Sequence, residues 1–386
     1  MSSQAQKGFG MYEVAARLQQ SGADVIHLEV GRPSSDTPVH IKEAAKAALD
    51  AGVVHYGELQ GLEPLREALA KRYVDLYGVN YSADEILITN GVTQASFATF
   101  LATVDEGDEV IVLDPYYPQH NSKITLAGGK IVPVPLRPVH GIYRLDAGVV
   151  EDAVTSATKV IVLINPSNPA GTVFTRDELQ RLAEIAEHHD LLVLSDEVYE
   201  FITFDEHRHV AFASLPGMKE RTVTVSAFTK AYAMDGWRVG YAAAPEPLIK
   251  ELRRITMNST THPCVFAQEG ALVAVTAPQD CVTRMVTEDK RRRDLVIESL
   301  NAIPGVSCAR PQGTIYAFPD ISRLNVKADE LAKRILSEAH VAVESGSFYS
   351  SRGKNHLRIC FGSEPYERVA EAMERLRRYL GNGAGN

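Results

Sequence analysis

Residues 159–199 read KVIVLINPSNPAGTVFTRDELQRLAEIAEHHDLLVLSDEVY and contain a strand, a helix and a second strand in succession. The two strand-like runs, KVIVLIN and LLVLSD, are apolar on both faces, which is typical of a parallel sheet that helices cover. The segment between them opens with a capping box from Thr175 to Glu178 and carries apolar residues at helical spacing. This stretch therefore predicts a strand–helix–strand unit with a right-handed crossover.

The same alternation extends over about residues 45–285. Further strand-like runs are EILITN, DEVIVLD, KIVPVP and TVTVSAF, and helical spacing occurs in HIKEAAKAALDAG and GLEPLREALAKRYVDLYG. After about residue 286, a charged helix leads into TIYAFPDIS, a further helix, HLRICFG and a terminal helix. We therefore expect a large α/β domain at residues 45–285, with a mostly parallel sheet covered by helices. A smaller α+β domain should follow at residues 286–386, and the N-terminal segment, residues 1–44, should join it.

The composition of the 386 residues is that of a globular protein, with 45% hydrophobic and 23% charged residues. Forty Lys and Arg against 49 Asp and Glu give a net charge of −9, which argues against a nucleic-acid partner. No apolar run reaches the ~18 residues of a membrane helix, and the N-terminus lacks a signal-peptide core. The four cysteines show no metal-ligand spacing, so we expect a cytoplasmic chain with reduced, buried thiols and no metal.

Polar side chains follow the predicted strands at their carboxyl ends, the edge at which doubly wound sheets bind ligands. They are Asn168 after KVIVLIN, Asp196 and Tyr199 at the end of LLVLSD, and Lys230 and Arg238 after TVTVSAF. An amide, a carboxylate, a phenol, an amine and a guanidinium should thus meet at one rim.

Each of these residues also has an ordinary structural interpretation. Lys230 could form a Schiff base, but a lone lysine more commonly lies at the surface. Asp196 could hold a protonated pyridine nitrogen or cap a helix, and Arg238 could bind a phosphate or form an ion pair. Asn168 and Tyr199 could bind a phenolate oxygen or belong to a turn and a packed core. The set as a whole indicates a cofactor site.

The order and spacing of five motifs resemble those of the class I and II aminotransferases, which are fold type I pyridoxal-phosphate enzymes. The motifs are SAFTKAYAMDGWRVGY, NPSNPAG, SDEVY, LRICFG and VGRPSSDTP, and they extend over nearly the whole chain. The resemblance implies a seven-stranded type of sheet in the large domain, pyridoxal 5'-phosphate as the cofactor, and a homodimer with shared active sites.

The resemblance also implies a role for each residue of the rim. Lys230 would form the Schiff base with the cofactor and then move the proton of the substrate's Cα. Asp196 would keep the pyridine nitrogen protonated, and Tyr199 and Asn168 would bind the phenolate oxygen of the ring. Arg238 would bind the phosphate.

Further residues acquire roles in the same way. The backbone N–H groups of Val92 and Thr93 would bind the phosphate at the start of a helix. Tyr117 would stack on the ring, although a plain turn residue is the alternative. Tyr56, in HYGELQG, would reach the phosphate in the neighbouring subunit.

The resemblance assigns substrate binding to residues near both ends of the chain. Arg358 would bind the α-carboxylate with the help of Asn168 and the Gly31 backbone; a surface strand residue opposing an acid is the alternative. Arg32 directly follows Gly31, where family members usually carry an acidic, amide or apolar residue. Arg32 could pair with an acidic substrate side chain, because the helix VTQASFATFLATV supplies no cation, or it could face solvent or pair with Asp36.

The chain departs from the family pattern at two places. Ala227 stands three positions before Lys230, where a small hydroxyl residue is usual, and either Ser226 or Thr229 could replace the missing hydroxyl. The loop between Ser345 and Asn355 lacks the usual Pro-Gly pair, which makes a different substrate-side wall possible.

We therefore expect a pyridoxal-phosphate-dependent aminotransferase that acts on an α-amino acid and a 2-oxo acid by a ping-pong mechanism. The same cofactor could instead support β-elimination by a C–S lyase, or an oxidase-type reaction on an amino acid. A non-catalytic pyridoxal-phosphate-binding regulator is a third alternative, although only about forty residues precede the predicted catalytic body.

Overall fold

The computed structural model describes residues 10–381, which contain fourteen strands and twelve α-helices. The strands are β1 (Ile26–His27), β2 (Ile86–Thr89), β3 (Glu109–Asp114), β4 (Lys130–Pro135), β5 (Arg137–Val139), β6 (Ile142–Arg144), β7 (Thr158–Ile164), β8 (Leu192–Asp196), β9 (Thr222–Ala227), β10 (Gly240–Ala243), β11 (Tyr316–Ala317), β12 (Val341–Ala342), β13 (Glu344–Ser345) and β14 (Leu357–Cys360). The helices are α1 (Tyr12–Gln20), α2 (Val39–Asp50), α3 (Glu63–Tyr77), α4 (Gly91–Thr103), α5 (Pro118–Leu126), α6 (Ala147–Asp152), α7 (Arg176–His188), α8 (Glu246–Thr260), α9 (Val265–Thr276), α10 (Asp280–Asn301), α11 (Ala328–Arg334) and α12 (Tyr366–Gly381).

A seven-stranded sheet in the order β2-β10-β9-β8-β7-β3-β4 forms the centre of the fold. Of its strands, only β10 runs antiparallel to its two neighbours, so the predicted mostly parallel α/β fold is confirmed. All six apolar runs predicted for this sheet are strands in it. The sequence analysis omits β10 because its four residues, GYAA, include no β-branched side chain.

The crossover helix between β7 and β8 begins at the predicted capping box. The backbone N–H of Glu178 donates to Thr175 Oγ1 at 3.2 Å, and the backbone N–H of Thr175 donates to Glu178 Oε2 at 2.8 Å. The buried face of α7, which includes Leu179 and Leu182, packs against the apolar residues of the sheet. The sequence thus specifies both where this helix starts and which face it buries.

One hydrophobic core joins the two ends of the chain. It contains Ala15 and Leu28 from the N-terminal segment together with residues of α10, α11, β14 and α12. Strand β1 pairs in parallel with β12, which attaches the N-terminal segment to this core. The predicted boundary at residue 286 lies inside α10, a continuous helix, and the division into domains stays a prediction.

The cysteines form no disulfide, and three of them are buried. Cys264 is exposed, so the expectation of four buried thiols is wrong at this position. The reason is local, because Cys264 immediately precedes α9 and lies outside that helix's buried face. Within residues 10–381, no helix has the length and apolar content needed to cross a bilayer, and the cytoplasmic location stays a prediction.

A buried ion pair joins Glu200 to Arg72 of α3. Their closest atoms, Oε1 and Nη2, are 3.6 Å apart, and the two side chains are only 3% and 11% exposed. Tyr77 and Ser226 also donate hydrogen bonds to the Glu200 carboxylate. Both charges are therefore compensated inside the protein, and removal of either one leaves the other buried and unpaired.

We expect Glu200→Gln to lower the free energy of unfolding by about 3 kcal/mol, because it leaves the Arg72 guanidinium without its countercharge. The control is Glu374→Gln, which breaks an exposed pair with Arg378 and should change stability by less than about 0.5 kcal/mol. Urea denaturation curves of the two variants check this expectation, and equal midpoints would contradict it.

Candidate active site

Three strands of the large sheet end side by side at one edge. Ile164 of β7 is in register with Asp196 of β8, and Asp196 is in register with Val225 of β9, just before that strand ends. The segments that leave these strands carry Asn168, Tyr199 and Lys230. The topology thus brings the predicted residues to a common rim, as the parallel arrangement requires.

Lys230 lies at this rim in contact with the N-terminal segment. Its half-buried amine donates a hydrogen bond to the carbonyl oxygen of Gly31 and lies 5.8 Å from the centre of the Tyr199 ring. A Cβ atom on Gly31 would come within 1.9 Å of the Tyr316 hydroxyl, which in turn lies 2.8 Å from the Tyr199 hydroxyl. Only glycine therefore allows the backbone at residue 31 to approach the lysine and the two tyrosines this closely.

The Asp196 carboxylate is buried and has few partners. Oδ2 lies 3.3 Å from His120 Nε2, and Oδ1 accepts a long hydrogen bond from the Val198 N–H, also at 3.3 Å. Burial lowers the pKa of His120, which favours a neutral imidazole that donates from Nε2 to the carboxylate. The carboxylate therefore keeps acceptor capacity for a ligand. The Tyr117 ring contacts the His120 ring edge-on, with 5.6 Å between the ring centres.

Arg238 and the start of α4 form a cradle for an anion. Gly91 and Arg238 both have left-handed backbone conformations, with φ of 73° and 57°, and a Cβ atom on Gly91 would lie 2.7 Å from Arg238 Nη2. The backbone N–H groups of Val92 and Thr93, in the first turn of α4, have no acceptor within the helix. A guanidinium beside free N–H groups at a helix N-terminus is an arrangement that binds phosphate.

Arg358 is a buried cation without a carboxylate partner. Nη1 donates to Asn168 Oδ1 at 3.3 Å, Nη2 donates to the Glu29 carbonyl, and Nε has no partner. The guanidinium lies 4.3 Å from the centre of the Tyr316 ring and 4.9 Å from that of Tyr349. No carboxylate of residues 10–381 comes within ion-pair distance, so the side chain is available to a bound anion.

Two of the predicted residues lie outside this cluster. Tyr56 is 90% exposed and contacts the His262 ring edge-on at 5.6 Å. Arg32 is about half exposed, and its guanidinium lies 4.0 Å from the Glu364 carboxylate. The alternative pairing of Arg32 with Asp36 is not observed, because Asp36 pairs with Lys42 instead.

The sequence analysis missed three side chains of the site: His120, Tyr316 and Tyr349. His120 stands three residues after Tyr117 at the start of a helix, and this spacing could have indicated that the two rings are neighbours. Nothing in the sequence placed the two tyrosines, because their segments, TIYAFPDIS and SGSFYSS, read as strand and loop.

Ser226 cannot supply the hydroxyl that is missing at Ala227, because it has another partner. The Ser226 hydroxyl donates a hydrogen bond to Glu200 Oε1 at 3.1 Å. Thr229 is half-buried in the turn before Lys230 and is the remaining hydroxyl candidate.

A possible metal-ligand group lies away from the rim. Glu151, His188 and His189 place ligand atoms within 4.8 Å of one another at the surface, and His189 Nε2 lies 2.6 Å from Glu151 Oε1. The two histidines lie at the end of α7, shortly before β8 begins at Leu192, so the group is at the edge of the sheet opposite the candidate site.

The residues of the rim fit pyridoxal phosphate. A buried carboxylate with spare acceptor capacity suits a protonated ring nitrogen, and the half-buried amine of Lys230 suits an aldehyde. The cradle of Arg238 and the α4 N-terminus suits the phosphate. The unpaired Arg358 guanidinium suits the carboxylate of an amino acid.

Comparison with known proteins agrees with this chemistry. The family model described as aminotransferase class I and II matches residues 23–376. The chain is 38% identical over 373 residues to the aspartate aminotransferase of Pyrococcus abyssi, covering 96% of this chain and 94% of that protein. It is 36% identical to aromatic-amino-acid aminotransferase 2 of Thermococcus litoralis, covering 94% of this chain and 93% of that protein.

A solved structure shows the same fold. The aromatic aminotransferase of Pyrococcus horikoshii superposes with a TM-score of 0.91 at 37% identity, covering 96% of this chain and all of that one. Relatives named for aspartate and for aromatic amino acids are thus about equally similar to this chain, and overall identity does not select between those substrates.

We expect Gly91→Ala to weaken pyridoxal-phosphate binding by about tenfold to a hundredfold, because the new methyl group displaces the Arg238 guanidinium from the cradle. Gly78→Ala is the matched control, since Gly78 has a similar φ of 70° but nothing within 4 Å of an added Cβ. Both variants should lose thermal stability through backbone strain, and only Gly91→Ala should lose affinity. Titration of the apoprotein with the cofactor measures this, and equal affinities would contradict it.

Proposed function

The chain belongs to the class I and II aminotransferases, and we propose that Lys230, Asp196 and Arg358 carry its reaction at the rim, by a ping-pong mechanism. It is a pyridoxal-phosphate-dependent enzyme that transfers amino groups between amino acids and 2-oxo acids. One observation supports the assignment of residues most strongly. The Tyr316 ring contacts the Arg358 guanidinium, and its hydroxyl contacts Tyr199, whose ring lies beside the Lys230 amine.

The bound cofactor supplies an aldehyde that exchanges amines and a ring that withdraws electrons from the substrate's Cα. The Lys230 amine would hold the cofactor through its aldehyde and would accept and return the proton at the substrate's Cα. The Asp196 carboxylate, which His120 orients, holds the proton on the ring nitrogen. Tyr117, whose ring contacts the His120 ring, would stack on the cofactor ring.

The remaining residues bind the cofactor and orient the substrate. Burial raises the pKa of Tyr199 well above its ordinary value, so its hydroxyl stays protonated and donates to the ring oxygen, together with the Asn168 amide. Arg238 and the N–H groups of Val92 and Thr93 hold the phosphate. A second anion site holds the substrate's α-carboxylate; it consists of Arg358, Asn168 and the backbone of Gly31.

The experiment that tests this function follows the products of the holoenzyme with a panel of amino acids and 2-oxoglutarate or pyruvate. We expect formation of a new amino acid without free ammonia. Lys230→Ala should lose several orders of magnitude in turnover, because loss of proton transfer alone costs about 10²–10⁴-fold. Release of ammonia and pyruvate would indicate β-elimination instead, and consumption of oxygen would indicate an oxidase-type reaction. Undiminished turnover by Lys230→Ala would contradict the proposed role of the lysine, and binding without turnover would indicate a regulatory protein.

We also propose that the enzyme is a homodimer in which Tyr56 reaches the phosphate site of the partner subunit. Tyr56 lies in a segment that exposes apolar side chains, including Val54 and Leu59, and a second copy of the chain would cover them. Among residues 10–381, the Tyr56 ring has one aromatic contact, with His262, and its hydroxyl has no hydrogen bond.

If each active site contains residues of both subunits, two variants that are defective in different residues should restore activity in mixed dimers. Subunit exchange between Lys230→Ala and Tyr56→Phe should produce mixed dimers with one intact site each, and roughly a quarter of wild-type activity should return at random exchange. Activity is compared before and after exchange, with sedimentation to confirm the dimer. A fully active monomer would refute the arrangement.

For the substrate side chain, we propose that Arg32 selects acidic or strongly polar amino acids. It adjoins Gly31, which contacts Lys230, and its pairing with Glu364 at 4.0 Å and half exposure is weak enough to be exchanged for a substrate carboxylate.

Arg32→Met should therefore lower kcat/KM for aspartate or glutamate by about tenfold to a hundredfold and leave alanine and leucine unchanged, because one charged hydrogen-bonded pair is lost. Arg378→Met, on the exposed face of α12, serves as the control. Steady-state kinetics with the four amino acids measure the selectivity, and an equal loss for all of them would show that Arg32 does not contact the side chain.

A further inference from the structure

Lys123 of α5 is a buried amine that the proposed reaction does not use. It is only 7% exposed, and its Nζ donates to Ser96 Oγ at 2.7 Å. Ser96 in turn donates to the carbonyl oxygen of Val92, in the first turn of α4, at 2.7 Å. No carboxylate of residues 10–381 lies within ion-pair distance of the amine. Lys123 is thus a cation placed inside the protein against a neutral hydroxyl, an arrangement that costs stability unless a nearby negative charge compensates it.

The negative charge that acts on Lys123 is Asp196. Burial lowers the pKa of Lys123 to about 8, and the Asp196 carboxylate opposes this shift. His120 stands one helical turn before Lys123 on α5 and contacts Asp196 Oδ2. Burial lowers the pKa of His120, its hydrogen bond to Asp196 opposes this shift, and the charge of Lys123 adds to it, so the pKa of the imidazole stays below its ordinary value. The polar groups nearest the amine are therefore Ser96 from α4, His120 from α5 and Asp196 from β8.

We propose that Lys123 is a positioning residue for the aminotransferase reaction: its ammonium stabilises the ionised form of Asp196 and thereby keeps the ring nitrogen of the bound cofactor protonated. The inference rests on the proposed role of Asp196. A proton shared between a carboxylate and a pyridine can lie on either group. A cation on the protein side of the carboxylate favours the charge-separated arrangement, in which the ring is protonated and the carboxylate is negative.

A purely structural role is the alternative, in which Lys123 only joins α5 to α4 through Ser96. Three variants separate the charge from the hydrogen bond. Lys123→Met removes both, whereas Lys123→Gln removes the charge and keeps a donor for Ser96. Ser96→Ala removes the hydrogen bond and keeps the charge. Lys130→Met, on the exposed start of β4, is the matched control for the loss of a lysine.

The experiment records the ¹⁵N chemical shift of the ring nitrogen in holoenzyme that carries ¹⁵N-labelled cofactor, as a function of pH. Wild type, Lys130→Met and Ser96→Ala should all show a protonated nitrogen at pH 7. Lys123→Met and Lys123→Gln should both give a signal at pH 7 that is displaced toward that of a neutral ring nitrogen, because without the ammonium the shared proton lies more on the Asp196 carboxylate. In the wild type, the ammonium loses its own proton as the pH rises, so protonation of the ring should weaken at alkaline pH. This last effect should be absent from both Lys123 variants.

The Asp196→Asn variant makes the possible failures distinguishable. If Asp196→Asn deprotonates the ring nitrogen while both Lys123 variants follow the wild type, the inference about Lys123 is wrong and the proposed function stands. If Asp196→Asn also leaves the signal unchanged, the role of Asp196 and the inference fall together. If Ser96→Ala shifts the profile as far as Lys123→Met, the hydrogen bond is responsible rather than the charge, and the inference is overturned.

Discussion

The burial of three carboxylates within one short segment constrains the site and the core behind it. Asp196, Glu197 and Glu200 are each 5% exposed or less, and an unpaired charge at such depth costs several kcal/mol. Glu197 accepts hydrogen bonds from Ser195 and the Phe212 N–H and lies 2.9 Å from a nitrogen of His209. Asp196 has only two long contacts, both at 3.3 Å. Hydrogen bonds and ion pairs thus compensate Glu197 and Glu200, whereas Asp196 remains available for a ligand.

Local features of the fold could be predicted because local interactions encode them. The strands are apolar on both faces, and Thr175 and Glu178 mark the start of α7 before any tertiary contact forms. The parallel order then brings Asn168 and Lys230 to one edge with no further information. Contacts between segments distant in sequence could not be predicted in this way. His120 meets Asp196 across 76 residues, and Tyr316 meets Tyr199 across 117, and no periodicity encodes either pairing.

Local charge at the rim is opposite in sign to the charge of the whole chain. The protein carries a net charge of −9, yet Lys230, Arg238 and Arg358 converge on one edge of the sheet. Field lines concentrate in a cleft with apolar walls, so an anionic substrate experiences the nearby cations more than the distant acids. The arginine at residue 32 extends the same positive rim outward, and Glu364 partly offsets it.

Helix α10 connects the packing around the large sheet to the packing around the chain ends. Its first turn contributes Cys281 and Val282 to one core, and its last turns contribute Val296 and Leu300 to the other. A helix of 22 residues is about 33 Å long, and it has no proline at which to bend. A tilt of about 5° about one end of such a helix moves its other end by about 3 Å. A displacement of that size is enough to break a hydrogen bond. A change of packing beside Cys281 that tilted α10 by this angle would therefore displace the core that carries Arg358, at the other end of the helix.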